Sequence, residues 1–120
     1  MNTLSLIIED DEDLAEIFSQ AVSAAGYETE VIGDGLAAQE RLKEVVPSVI
    51  VLDMHIPHIS GDKLFKQIRE DQRLEHTRVV VATADAQMGE MMRGKADLVL
   101  IKPISFTQLR DLTSRFNRTV

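Results

Sequence analysis

Four short apolar runs each end in a residue able to handle charge. Leu4–Ile8 runs directly into Glu9-Asp10-Asp11, Val49–Leu52 into Asp53, Val79–Ala82 into Thr83, and Leu98–Ile101 into Lys102-Pro103. Asp11, Glu12 and Asp13 fit the acid that collects at a helix N-terminus to complement its dipole. Glu9 and Asp10 fit that reading less well, because they directly follow a buried run. If the first and third runs lie side by side, Glu9, Asp10 and Asp53 converge. Two carboxylates about 5 Å apart repel by roughly 3 kcal/mol at an effective dielectric near 20. Such a cluster persists only if a proton, a cation or a basic side chain neutralises it. Lys102 supplies one positive charge against three acids, and hard oxygen ligands, few in number, favour Mg²⁺ for the remainder. Taken singly, Asp53 is an ordinary turn former, Thr83 a strand residue and Lys102 a surface lysine. Together they make a metal, an ammonium, a hydroxyl and a carboxylate. That set suits phosphoryl transfer, where the protein's task is positioning and charge neutralisation.

Positioning these residues requires a regular scaffold, and the chain alternates accordingly. Leu14, Ile17, Phe18, Ala21, Val22 and Ala25 recur at helical spacing after the first run, and Gly26 ends that helix. Glu28–Ile32 is a strand closed by Gly33-Asp34-Gly35, and Leu36 to Val46 is a helix closed by Pro47. Val49–Leu52 is the most apolar strand, and a helix from Gly61 to about Arg73 points Leu64, Phe65 and Ile68 inward. Val79–Ala82 and Leu98–Ile101 are strands flanking a short helix, Ala86–Arg93. A last helix runs from Ser105 to about Arg118, and Ser105 with Gln108 matches a capping box. Five strands alternating with five helices give an α/β, doubly wound parallel sheet covered on both faces. Ligands of such folds bind beyond the carboxyl ends of the strands, where the charged residues stand.

Composition bounds the rest. The 120 residues suit a single domain, 1–120, and 44% hydrophobic content suits a packed core. A chain without cysteine has no disulfide, thiolate metal site or cysteine nucleophile. The net charge of −7 and scattered basic residues argue against direct nucleic-acid binding. The first apolar run is too short for a signal core or a membrane span, so a cytoplasmic protein is expected.

The ordered set Glu9-Asp10, Asp53-Met54-His55-Ile56-Pro57-His58-Ile59-Ser60-Gly61, Thr83-Ala84 and Lys102-Pro103 resembles the response-regulator receiver family of two-component signalling. The resemblance covers essentially the whole chain. It implies a flavodoxin-like sheet of order 2-1-3-4-5, with Asp53 accepting a phosphoryl group from a sensor histidine kinase or phosphotransfer protein. It further implies that Asp10 ligates Mg²⁺ directly and Glu9 acts beside it through water, with Asp53 and the backbone carbonyl of His55 as further ligands. Lys102 would pair with Asp53 and then with the phosphoryl oxygens, and the Thr83 hydroxyl would swing to bond the phosphoryl group. Ala84 leaves the site open, and the Lys102-Pro103 bond is implied to be cis. The output would be a conformational shift acting on a downstream protein or effector domain, without turnover of a foreign substrate.

The match departs at Val99, where the family usually carries an aromatic switch residue. A receiver that keeps the fold as a phosphorylation-independent binding module is the alternative this raises. An aspartyl-phosphate hydrolase would carry a second aspartate two residues after the nucleophile, where this chain has His55. Met88, Met91 and Met92 share the fourth helix. Core filling is the preferred reading of them. A pliable partner or dimerisation surface on the face of helix four, strand five and helix five is the other. His58 and His76 are expected in solvated loops.

Overall fold

In the computed structural model, which describes residues 3–117, the elements alternate as the sequence predicts. They run β1 (Leu4–Ile8), α1 (Glu12–Ala24), β2 (Glu28–Ile32), α2 (Gly35–Leu42), β3 (Val49–Asp53), α3 (Gly61–Glu70), β4 (Arg78–Thr83), α4 (Ala86–Met92), β5 (Leu98–Ile101) and α5 (Phe106–Asn117). All pairings are parallel, in the order β2-β1-β3-β4-β5. The order reverses at β1, so the crevice of this doubly wound sheet opens between β1 and β3.

Strand alternation divides the core in two. Leu6, Ile8, Ile50, Leu52, Val79 and Val81 pack against Leu42, Leu64, Ile68 and Met92 of α2, α3 and α4. Ile7, Val49, Val51, Val80 and Ala82 face Phe18, Val22 and Leu109 of α1 and α5. Burial on both faces explains why the central strands read as unbroken apolar runs. Ile17 falls outside the buried stripe predicted for α1 and is exposed.

Two helices are shorter than their sequence suggests. α2 stops at Leu42 rather than Val46. The following N–H groups turn back to Glu40 and Arg41, and the Arg73 guanidinium donates to the Leu42 and Val45 carbonyls. α3 stops at Glu70 rather than Arg73, because Asp71 is extended and its side chain caps a separate 3-10 turn, Gln72–Leu74. At α5, Ser105 Oγ accepts from the Gln108 N–H at 3.0 Å, the half of the expected capping box that forms. The predicted end near Arg118 lies outside the described residues.

Candidate functional site

Register brings the strand-end residues together. Ile8 pairs with Leu52, so the next residues, Glu9 and Asp53, emerge side by side. Asp53 is level with Ala82, and Thr83 with Ile101, so Thr83 and Lys102 stand one step beyond on the neighbouring strands. The backbone ties them further: the Lys102 N–H donates to the Thr83 carbonyl at 2.8 Å. The Lys102-Pro103 bond is cis.

Glu9, Asp10 and Asp53 each offer a carboxylate oxygen within 4.8 Å of the others. Glu9 and Asp53 are buried, whereas Asp10 is exposed. Asp11 is the N-cap of α1 and accepts from the Asp13 and Leu14 N–H groups, as a helix-start acid should. The Lys102 ammonium donates to Glu9 Oε1 at 2.7 Å and lies 3.4 Å from Asp53 Oδ2. It therefore serves both buried acids, with Glu9 the nearer.

Burial first, and then the neighbouring Asp53, push the Glu9 carboxyl up to about 7, with Lys102 pulling the other way. For Lys102, burial works against the charge, but the Glu9 hydrogen bond and the two carboxylates outweigh it and hold the ammonium above its ordinary range. Two buried acids on one ammonium, with the exposed Asp10 carboxylate beside them, leave an acidic, oxygen-rich corner open on the Asp10 side. Its donors fit a hard divalent cation of the Mg²⁺ type.

Around this corner, the His55 N–H donates to Asp53 Oδ1 at 3.1 Å, which orients the carboxylate. The Thr83 side chain is fully buried and its Oγ1 accepts from the Asp85 N–H at 3.0 Å. Asp85 in turn caps α4. Ala84 is exposed beside the site. The exposed His55 imidazole and Asp85 face each other with 4.0 Å between Nε2 and Oδ2.

Val99 is half-buried in β5, where α4 passes over it at Gly89. A Cβ on Gly89 would lie 2.4 Å from Ile101 Cδ1, 3.4 Å from Val99 Cγ1 and 3.5 Å from Thr83 Cγ2. The tight approach of α4 is therefore to Ile101, with Val99 in ordinary contact beside it and half-exposed. Met92 is buried and Met88 half-buried against the core, as core filling predicts, while Met91 is exposed. His76 is solvated as expected. His58 is exposed but paired with Asp34, the N-cap of α2. That contact joins residues 24 positions apart, too far for local spacing to reveal, and it gives Asp34 a role beyond the turn. The Asp-Gly step at a helix start was the available signal for Asp34 as a cap.

Among the described residues, no helix is long and apolar enough to cross a membrane. Residues 5–114 match the family model described as response regulator receiver domain. The chain is 34% identical over 103 residues to the polar-differentiation response regulator DivK of Brucella ovis, covering 83% of this chain and 84% of that protein. Its fold is similar to that of the chemotaxis response regulator CheY4 of Vibrio cholerae, with a TM-score of 0.83 and 23% identity over 97% of this chain and 99% of that one. It is also similar to the receiver domain of sensor histidine kinase PA1611 from Pseudomonas aeruginosa, with a TM-score of 0.85, 19% identity, and 99% and 100% of the two chains covered. That structure has a magnesium ion coordinated in its active-site cleft.

Proposed function

The chain belongs to the response-regulator receiver family of two-component signalling, and we propose that its Asp53 accepts a phosphoryl group from a phosphohistidine on a sensor kinase or phosphotransfer protein. The observation that carries this reading is the shared ammonium. Lys102 lies within reach of both Glu9 and Asp53, while Asp10 joins the two acids on the open side. A purely structural set of strand-end residues would not bury two carboxylates against a single cation.

Asp10, Asp53, the His55 backbone carbonyl and, through water, Glu9 are the groups we assign to Mg²⁺. The ion, when bound, would supply positive charge against the phosphoryl oxygens and the acids of the corner. The remaining work belongs to the protein. The Asp53 Oδ not engaged by the His55 N–H is the nucleophile, attacking phosphorus as the bond to the donor nitrogen breaks. Lys102 then follows the new phosphoryl oxygens, leaving Glu9 to the metal side. The Thr83 hydroxyl would leave the Asp85 N–H to donate to a phosphoryl oxygen, loosening the cap of α4. The change spreads as a population shift of the β4–α4 segment, read by a partner or an attached effector domain.

We assign no turnover of a foreign substrate, since hydrolysis of the acyl phosphate merely resets Asp53. A cytoplasmic setting is consistent with a chain free of cysteine. The test is beryllofluoride, a phosphoryl mimic, followed by NMR. Mg²⁺-dependent shifts centred on Asp53, Thr83 and Lys102 are expected, and their absence would leave a binding module that keeps only the fold.

A further inference from the structure

The loop from Met54 to Ser60 carries the His55 carbonyl assigned above to the metal, yet much of it is exposed. Its near end is held by the His55 N–H bond to Asp53 Oδ1 at 3.1 Å and the Gly61 N–H bond to the Met54 carbonyl at 3.0 Å. Its far end is held by the Ile59 N–H bond to the Pro57 carbonyl at 2.9 Å, and Met54 and Ile59 are buried in the core. Its middle, from Pro57 to Ile59, also meets the turn between β2 and α2. The Gly35 N–H donates to the Pro57 carbonyl at 3.0 Å. Ile59 lies so close to Gly35 that a Cβ there would sit 2.4 Å from its carbonyl oxygen.

His58 completes this join. Its φ of 73° is in the left-handed region, which a residue with a Cβ enters at a cost, histidine more often than most, and keeps more firmly when a partner holds it there. The hold is Asp34. One carboxylate oxygen, Oδ1, accepts from the Leu36 N–H at 2.7 Å and the Ala37 N–H at 3.0 Å, fixing the side chain on the start of α2. The other oxygen, Oδ2, pairs with His58 Nδ1. Helix capping accounts for Oδ1 alone, and accounts for nothing at His58. The Asp34 carboxyl is held below the usual range, first by the Ala37 N–H and with a contribution from His58.

We propose that Asp34 and His58 are positioning residues that tie the loop after Asp53 to the β2–α2 turn and so preset the metal-ligating carbonyl of His55. The inference rests on the receiver reading above. Without the tie, the loop must be ordered when the cation binds, and that ordering weakens affinity without altering the chemistry at Asp53.

Two variants isolate the contact. Glycine and asparagine both tolerate the left-handed backbone, but only asparagine keeps a donor at the same reach as Nδ1. H58G is expected to speed amide exchange across residues 55–59 in the metal-free protein and to weaken Mg²⁺ binding several-fold by NMR titration. Its rate of acetyl-phosphate labelling at saturating Mg²⁺ should stay that of the wild type, and H58N should behave as the wild type throughout. Wild-type exchange and Mg²⁺ affinity in H58G, or equal impairment in H58N, would overturn the proposal. A wild-type protein without Mg²⁺-dependent shifts at Asp10 and Asp53 would instead overturn the Mg²⁺-dependent phosphoacceptor reading and the positioning role with it, while the exchange rates would still decide whether the tie exists.

Discussion

Lys102 bonds Glu9 at 2.7 Å, more closely than it approaches Asp53 at 3.4 Å. The nearer partner is thus the acid not assigned to accept the phosphoryl group. Glu9 takes the closest bond of the ammonium. Asp53 is left with a partial share of it and the His55 N–H. A carboxylate so weakly satisfied suits a nucleophile.

The Glu9 carboxyl gives the metal-free protein a pH dependence of defined sign. Its folded value of about 7 lies above its ordinary 4.5, so the folded state keeps a proton that the unfolded chain releases. This group's contribution to stability is therefore full below about 4.5 and is lost as pH rises through about 7, by up to about 3 kcal/mol. Urea titrations in chelator between about pH 5 and 8 should show the wild type losing stability relative to Glu9→Gln. Parallel curves would mean that Glu9 is not held protonated.

Asp10 crowds two buried acids, whereas the Lys102 ammonium engages Glu9 and Asp53, so removing the Asp10 charge relieves repulsion without breaking the ammonium's bonds. Asp10→Asn should stabilise the metal-free protein by about 1 kcal/mol, the scale of one exposed charge near two others after screening. The same variant should lose most of the stabilisation that added Mg²⁺ gives the wild type by mass action. Thermal unfolding with and without Mg²⁺ reads both effects.

Thr83→Ala removes the buried acceptor of the Asp85 N–H and should cost about 1 kcal/mol. Labelling of Asp53 should persist in this variant. The accompanying amide shifts along α4, which starts just beyond Asp85, should shrink markedly. Full-sized α4 shifts would show that the response does not pass through this hydroxyl.

Gly61→Ala tests the packing behind the phosphoacceptor. The added Cβ would lie 2.4 Å from Met54 Cα and 2.6 Å from the Asp53 carbonyl oxygen, both backbone atoms that cannot swing aside. A loss of about 1–3 kcal/mol is expected, in the range for overpacked sites, with weaker Mg²⁺ binding as the loop shifts. Unchanged stability would mean that the loop yields more readily than its bonds suggest.

What the sequence made legible follows from where each signal resides. Strand-end chemistry is local: Asp53, Thr83 and Lys102 each follow an apolar run, and a parallel sheet must bring those ends to one edge. Helix ends were less legible where distant groups decide them. Arg73, 31 residues beyond Leu42, satisfies the carbonyl at which α2 stops. The preference of Lys102 for Glu9 over Asp53 depends on differences of less than 1 Å that no spacing encodes. The Asp34–His58 contact was hidden for another reason. It joins two loops whose shapes are set by Gly35, Pro57 and a left-handed His58, and a loop histidine by itself reads as solvated.

Incubation with acetyl phosphate, followed by intact mass measurement, decides whether Asp53 is the phosphoacceptor of a Mg²⁺-dependent site. The wild type should gain one phosphoryl group, dependent on Mg²⁺, abolished in Asp53→Asn and lost on chelation before the donor is added. A wild-type mass that stays unchanged with Mg²⁺, or equal labelling of Asp53→Asn, would contradict it.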